Sequence, residues 1–279
     1  MGLNPWQEDF FLTVRNFDHQ AQLSSVEPYC IVDCQSKFYV HLVPLQNNFE
    51  PASLLALQTS YAQENKFLVQ LWEDVWLAKR SQVLGRVKSF LGLNKSYHGR
   101  KAKIENLTKK QISIFLNAYH LQDYVKAAYN FGLVVDGEVV AAASFSKSRP
   151  MKTKGADYQS AELVRFASKE GITVVGGLSK LIKHFTKQVK INDLMTYADR
   201  DWSLGKGYHK LGFNLSETTL PTTFYVNRET LVRYFLHRLP KEVVLTYEAQ
   251  KVLNLNDFLL LNGYVKIFNT GNLKYHLYL

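Results

Sequence analysis

"YADRDWSLGKGYHKLGF", residues 197–213, is the stretch on which the reading of this chain turns. It continues the apolar run "DLMTYAD", long enough for a buried strand, and leads into a short helix that runs through Tyr208 and ends at Gly212. Between them stand two Asp, a Trp and two glycines. Sheets of α/β proteins open their clefts at the carboxyl ends of strands, so polar and aromatic groups gathered there predict a cleft wall. A turn of unusual composition is the competing account. Gly205 and Gly207 allow a bend sharp enough to return Tyr208 beside Asp199.

Upstream, "TKKQISIFLNAYH" reads as a helix with Thr108 at its N-cap and Gln111 three residues on, a capping box. "YNFGLVVDGEVVAAASFSK" reads as a hairpin turned by Asp136-Gly137. "SAELVRFASK" is a strand, and "GGLSKLIKHFTKQV" a helix that starts behind two glycines. After the opening stretch, "TTFYVN" closes the unit as another strand. Helix, hairpin, strand, glycine turn, helix, strand, short helix and strand describe an α/β domain with a mixed sheet. The first hundred residues read as strands followed by helices, "LNKSYHGRKAK" as a linker, and "GYVKIFNTGNLKYHLYL" as an appended strand pair. The expected divisions are 1–98, 99–240 and 241–279.

The 279 residues suggest one large or two small domains, and 46% hydrophobic content is ordinary for a globular chain. No apolar run approaches the roughly 18–20 residues that cross a bilayer. The start carries acids early and no cleavage pattern, and Trp6 stands where a myristoylation signal wants Ser or Thr. A cytoplasmic protein is expected. Cys30 and Cys34 have no second pair with which to make a zinc site and read as reduced thiols. No metal site is expected. Net charge is +10 and unevenly spread: Lys79, Arg80, Arg86, Lys88, Lys95, Arg100, Lys101, Lys103, Lys109 and Lys110 face only Glu105. Lys147, Arg149, Lys152 and Lys154 form a second cluster. Segregated positive charge is the footprint of a phosphate-backbone binder, with a solvated basic face as the alternative. Candidate nucleic-acid contacts are Lys79, Arg80, Arg86, Lys88, Arg100, Lys101 and Arg149. A protein partner stays open.

The element order ending in Tyr208–Phe213 resembles the GNAT acyltransferase fold. The resemblance implies a glycine turn at Gly176, Gly177 and Ser179 cradling the pyrophosphate of an acyl donor such as acetyl-CoA, a use for which unpaired helix N-terminal amides are suited. "TVVGGLSK" departs from the family's turn at Thr173, Gly176 and Leu178. A longer match covers most of residues 104–226. "NAYHLQDYVKAAYNFGLVVDGEVVAAASFSKSR", "AELVRFASK", "VVGGLSKLIKHF" and "YADRDWSLGKGYHKLGF" resemble a domain of phage homing-endonuclease-like proteins. That domain is similar to the phage Mom DNA-modification protein, which implies modification of a nucleobase amine. "FLVQLWEDVWLAKRSQVLGRVKSFLG" resembles the closing strand and helix of very-short-patch-repair-like nucleases of the PD-(D/E)xK class. Those enzymes hold Mg²⁺ with an Asp and an acid-x-Lys set; here Asp33 stands alone, so nuclease chemistry is not expected and DNA contact is. The expected fold class is α/β: a GNAT-like mixed sheet with flanking helices, behind a smaller α/β nuclease-like domain.

Acyl transfer to an exocyclic amine requires a positioned amine, a proton acceptor and a proton for the leaving thiolate. Tyr208 lies where many GNAT enzymes keep the Tyr that protonates the thiol; packing against the sheet is the alternative. Asp199 is the candidate base, or else a turn former. Tyr197 and Trp202 offer faces to a flipped-out base, or pack in the core. Arg165 sits mid-strand, with Glu162 expected on the opposite face and a phosphate or donor carboxylate as its partner. The resemblance places Asn117 and His120 near the cleft. Catalytic candidates are therefore Asp199, Tyr208 and His120; donor-binding candidates are Arg165, Gly176, Gly177 and Ser179.

Overall fold

The computed structural model describes residues 2–36, 38–251 and 253–279. Along the chain it forms α1 (Pro5–Arg15), β1 (Gln22–Val26), β2 (Tyr29–Cys34), β3 (Phe38–Val43), α2 (Pro51–Gln63), β4 (Phe67–Trp72) and α3 (Glu73–Ala78). Next come α4 (Arg80–Phe90), β5 (Lys95–His98), a 3-10 turn at Gly99–Lys101, β6 (Lys103–Asn106), α5 (Lys109–Tyr119), β7 (Tyr129–Val135) and β8 (Glu138–Phe145). They are followed by β9 (Arg149–Pro150), β10 (Gln159–Ser168), β11 (Ile172–Val175), α6 (Gly177–Gln188), β12 (Asp193–Asp199), α7 (Lys206–Lys210) and β13 (Asn214–Thr218). The chain ends with β14 (Thr223–Asn227), β15 (Arg233–Tyr234), α8 (Lys241–Gln250), α9 (Leu255–Leu261), β16 (Tyr264–Phe268) and β17 (Asn272–Tyr278).

These elements divide into two compact units. The first holds Met1–Arg80, Asp199–Trp202 and Leu220–Asn272; the second holds Ser81–Ala198, Ser203–Thr219 and Leu273–Leu279. The boundary expected after residue 98 therefore falls after residue 80. "LNKSYHGRKAK" is no linker: β5 pairs in parallel with β11, and β6 pairs antiparallel with β7. Gly99 permits this, because a Cβ there would stand 3.0 Å from the carbonyl oxygen of Val175. The expected C-terminal strand pair is also divided. β16 pairs with β14 in the first unit, whereas β17 enters the large sheet of the second between β12 and β13.

The first unit carries a four-stranded sheet, β1-β2-β3-β4, antiparallel except for the parallel β3/β4 pair. β3 is buried at every position and β4 at all but Phe67, as expected of strands covered on both faces. Leu54 of α2 packs with Val43 and Trp72, and that cluster continues into Val226, Val265 and Ile267 of the three-stranded sheet β15-β14-β16. "TTFYVN" thus closes a sheet of the first unit, not the mixed sheet of the second. Cys30 and Cys34 are free, and burial pushes their thiols up to about 11 and about 12.

The second unit is built on a mixed sheet of order β6-β7-β8-β10-β12-β17-β13. β6 to β10 are antiparallel neighbours and β10/β12 are parallel. Alternation along β8 sends Ala141, Ala143 and Phe145 toward Leu181, Ile182 and Phe185 of α6, and Ala142 toward Ile112, Phe115 and Leu116 of α5. Helices therefore cover the two faces of the sheet. The apolar positions of α6 recur at helical spacing, and Phe185 stacks on Phe145 at 4.4 Å. Burying each such side chain contributes roughly 1.5–3 kcal/mol. The Thr108–Gln111 capping box forms, and Asp136 (φ 52) with Gly137 (φ 81) turns the hairpin. Among the described residues no helix is long and apolar enough to cross a membrane.

Candidate active site

Parallel β10 and β12 pair only where Ser160–Glu162 meets Asp193–Met195. Just beyond that point β10 shifts register against β8 between Leu163 and Arg165. One extra residue in a strand re-phases its faces, so residues three apart come to the same side. This overturns the expectation that Glu162 lies on the face opposite Arg165: Glu162 acts directly on the Arg165 guanidinium. Past the ladder, backbone carbonyls of β10 are bonded by side chains instead of a neighbouring strand. Thr196 Oγ1 donates to the Leu163 carbonyl at 3.0 Å, and Arg165 Nη1 donates to the Val164 carbonyl at 2.8 Å. Buried carbonyls need such partners.

Arg165 is the centre of the arrangement. Its Nε donates to the Asp123 carbonyl at 3.2 Å, anchoring the loop after α5, where Asp123 takes a left-handed φ of 54. Burial lowers the pKa of Arg165, and Glu162, Asp123 and Tyr208 oppose that. His120 closes α5 in extended conformation, and its Nδ1 accepts the Gln122 backbone N–H at 3.0 Å. That bond leaves Nε2 as the donor. Burial first, and then the charges of Arg165 and Arg86, push His120 down to about 3, so the imidazole is neutral. Burial raises the phenol of Tyr208, against the opposing influence of its bond with Thr196 and of Arg86 and Arg165. The Tyr208 ring also packs beside Phe213 and Tyr275, as the packing account expects. Burial raises Glu162 as well, with Arg149 and Arg165 pulling the other way.

The charge of Arg165 is felt by His120, Tyr208 and Glu162, and that of Arg86 by His120 and Tyr208. Asp199 does not share their unit. Its Oδ1 accepts the Asp201 backbone N–H at 3.0 Å, a turn-forming contact. Gly205 does bend the chain (φ 71) as the N-cap of α7, whereas Gly207 is not among the positive-φ glycines. Trp202 is 5% exposed and offers no free face; Tyr197, 43% exposed on β12, does. Gly176 is the left-handed N-cap of α6 (φ 72) and exposed, with open space where a Cβ would stand. Gly177 is buried against Leu133 and Val174, and Ser179 lies one turn into the helix, half-buried.

The basic residues divide. Arg80 is bound to both oxygens of Asp9 and stacks on Trp76 at 4.4 Å, so its charge is internally matched. Lys88 pairs with Glu170 at 3.5 Å. Arg86, Arg100, Lys101 and Arg149 are exposed, and Lys79 is half-buried. Lys154 and Tyr158 donate at 2.8 and 3.0 Å to the buried carboxylate of Asp193, which His276 Nδ1 also meets at 3.0 Å. This hub, which pins the 149–158 segment to the sheet, has no sequence signature because its members are up to 122 residues apart. Among the described residues no group of three or more His, Cys, Asp or Glu could hold a metal ion. Asp33 accepts the Ser36 backbone N–H at 2.8 Å, and the strand beside it, β3, contains no acid.

No family model matches the chain, and no curated protein matches it. Among solved structures it is similar to a GNAT family acetyltransferase from Elizabethkingia anophelis with acetyl-CoA bound, at 12% identity over 64% of this chain and 99% of that one, TM-score 0.36. It is similar to a Bacillus subtilis acetyltransferase in complex with CoA, at 15% identity over 64% and 99%, TM-score 0.36. An N-acyl amino acid synthase from uncultured soil microbes is 12% identical over 72% of this chain and 88% of that one, TM-score 0.33. The mixed α/β assignment stands on the strand order. What the strand order and pairing define is a mixed-sheet α/β unit in which parallel β10 and β12 share a ladder from Ser160–Glu162 to Asp193–Met195.

Proposed function

We propose that the second unit is an acyltransferase domain of the GNAT type, moving an acyl group from a coenzyme A-type thioester to an amine, and that a DNA nucleobase carries the amine. The short parallel ladder of β10 and β12, with Arg165 just beyond it and its charge felt by Glu162, Tyr208 and His120, is what supports this reading. The donor's pyrophosphate suits the start of α6: Gly176 is exposed and open, and the amides that head a 12-residue helix favour negative charge. Gly177 contributes by letting the helix sit against Leu133 and Val174. A bound thioester supplies an activated acyl group and a thiolate leaving group.

In this reading Glu162 takes the role first assigned to Asp199. Burial makes it a stronger base than an ordinary carboxylate, which suits removal of a proton from the attacking amine. Tyr208, held protonated at neutral pH by burial, gives its proton to the leaving sulfur. Arg165 orients both through its charge, and neutral His120 offers an Nε2–H.

The DNA half of the proposal is supported by the +10 net charge, the exposed Arg86, Arg100, Lys101 and Arg149, and the exposed ring of Tyr197. The first unit enters as a nuclease-derived platform whose lone Asp33 caps a turn. The test is nucleoside mass spectrometry of DNA from cells expressing the parent chain or Tyr208→Phe. An added acyl mass on one nucleoside, lost in the variant, is expected. Unaltered nucleosides at good expression, with DNA binding retained, would leave a binding protein without chemistry.

A further inference from the structure

We propose that residues 146–162 form a two-stranded ribbon whose basic outer part, Lys147–Tyr158, grips duplex DNA. This deepens the DNA half of the reading above by naming the element that binds and the form of the nucleic acid, and it rests on that reading for its purpose though not for its test.

The ribbon is a built element. Beyond the Leu163↔Phe145 pair, β10 and the chain that leaves β8 stay joined. Ser146 N–H donates to the Glu162 carbonyl at 2.9 Å, and Glu162 N–H donates to Ser146 Oγ at 2.9 Å. Arg149 then pairs with Ser160 and Pro150 with Gln159, and Met151 N–H donates to the Tyr158 carbonyl at 2.8 Å. From Ser146 to Arg149 the chain takes one residue more than from Glu162 to Ser160, a bulge that strengthens the ribbon's twist. The tip closes on itself: Lys154 N–H donates to the Met151 carbonyl at 2.8 Å, and Tyr158 N–H to the Gly155 carbonyl at 3.3 Å.

A buried charge holds it in place. Asp193 of β12 is fully buried, and its Oδ2 receives Lys154 Nζ at 2.8 Å, Tyr158 Oη at 3.0 Å and His276 Nδ1 at 3.0 Å. Lys154 Nζ also lies 5.0 Å from the centre of the Tyr158 ring and 5.7 Å from that of Tyr278. Burying a carboxylate is costly unless it is paired and bonded, and a basic loop that served only solubility would need no such anchor. Fixing the ribbon in advance spares the ordering cost that a flexible arm meets on contact.

What the anchored ribbon presents is positive. Lys147, Arg149 and Lys152 are exposed, and Asp157 is the only acid from residue 147 to residue 158. Lys147 and Lys152 enter no ion pair among the described residues, and Arg149 spends one Nη2 contact on Met195 Sδ at 3.3 Å. Paired strands lie about 4.8 Å apart, and the major groove of B-form DNA, about 12 Å wide, admits a two-stranded ribbon between two walls of phosphates. Cations on such a ribbon neutralise those phosphates and fix its position. A single strand offers no pair of walls, and an acidic protein surface would match the charge without the groove.

The test is fluorescence anisotropy of the full chain with a short labelled DNA duplex, followed from about 50 to about 200 mM salt. Each phosphate contact adds roughly 0.9 to the slope of log affinity against log salt. Lys147→Gln, Arg149→Gln and Lys152→Gln, combined in one chain, should flatten that slope by about 3. Lys183→Gln, Lys187→Gln and Lys190→Gln take equal charge from exposed positions of α6 and its exit, and should change the slope by less than about 1. Tyr158→Phe removes one anchoring bond and no charge, so it should weaken the duplex about threefold at an unchanged slope. Equal flattening by the two triple variants overturns the proposal, because net charge then accounts for the binding. So do an unchanged affinity in Tyr158→Phe, tighter binding of the single strand, and binding of polyglutamate as tight as that of the duplex at matched charge. Acetyl-CoA binding is measured in parallel. Duplex binding that depends on the ribbon, without donor binding, refutes the acyltransferase reading and leaves this one. Donor binding with a salt slope that the ribbon variant leaves unchanged refutes this one alone.

Discussion

Gly205→Ala is the substitution whose cost the structure specifies most closely. Gly205 heads α7 with φ 71, and a Cβ built there would lie 1.8 Å from Tyr275 Oη and 2.5 Å from its Cζ. Tyr275 is fully buried, its hydroxyl 3.2 Å from His209 Nε2 and its ring beside Tyr208 and His209, so it has no free space into which to retreat. Two costs add. A left-handed conformation costs a non-glycine residue roughly 1–2 kcal/mol, and overpacking a filled core costs about 1–3 kcal/mol. The expected loss is about 2–5 kcal/mol, which at a urea slope of roughly 2 kcal/mol per molar lowers the midpoint by about 1–2.5 M. Far-UV circular dichroism follows the transition, and hydrogen exchange in β17 and α7 localises it. Tryptophan fluorescence does not serve, because Trp6, Trp72, Trp76 and Trp202 all belong to the first unit. Tyr275→Phe removes the atom nearest the new methyl, so the two substitutions should couple favourably in a double-mutant cycle. A Gly205→Ala midpoint equal to the parent's, or additivity with Tyr275→Phe, would refute the reasoning.

On the proposed acyltransferase reading, Tyr208→Phe should lower turnover about 100-fold while leaving donor affinity within about twofold, since in that reading it removes the proton donor and little packing; steady-state kinetics with a thioester donor checks this. Asp201 is buried in the first unit, and burial and then Asp199 push it up to about 7, against the N–H and hydroxyl that Thr270 donates to it. A carboxyl raised in the folded state is stabilising below its unfolded value, and that contribution is lost as pH climbs toward its folded one. Unfolding midpoints should therefore fall from about pH 4 to pH 7 and level off above, and Asp201→Asn should flatten the profile. Asp193 behaves in the opposite sense. Burial raises it, but the bonds from Lys154, Ser160, Tyr158 and His276 outweigh this and leave it lowered, so its contribution is lost as pH falls through its folded value. Asp193→Ala strands Lys154 and His276 and should cost about 3–5 kcal/mol, read by the unfolding midpoint and by faster exchange in residues 151–158.

What the sequence disclosed was local. The Thr108–Gln111 capping box, the Asp136-Gly137 turn and the spacing of Leu181, Ile182, Phe185 and Val189 each place their cause within a few residues of their effect. The strand that follows α7 was missed because β13 is exposed at every position and so shows no apolar alternation. Its identity comes from its partner: β17, over fifty residues later, pairs with it from Asn214↔His276 to Thr218↔Leu273. Between them lies the segment that builds β14, β15, α8, α9 and β16 into the other unit. Hydropathy along a chain carries no mark of which sheet a strand will join, and "TTFYVN" alternates equally well in either.

The site shows the same limit with greater consequence. Arg165 was identifiable because a mid-strand guanidinium needs a partner, but the rule used to exclude Glu162 was strand period two. One register shift between Leu163 and Arg165 reverses that rule and brings Glu162 to the side of Arg165. Asp199 shows the complementary case. It ends the strand as expected, and its carboxylate then turns the chain toward Asp201 and the first unit, a choice that the residue's own identity permits equally well. Two acids of equal promise in the sequence are thus separated by a single backbone irregularity and a chain crossing. Neither feature is written in residue type; both follow from which strands lie side by side.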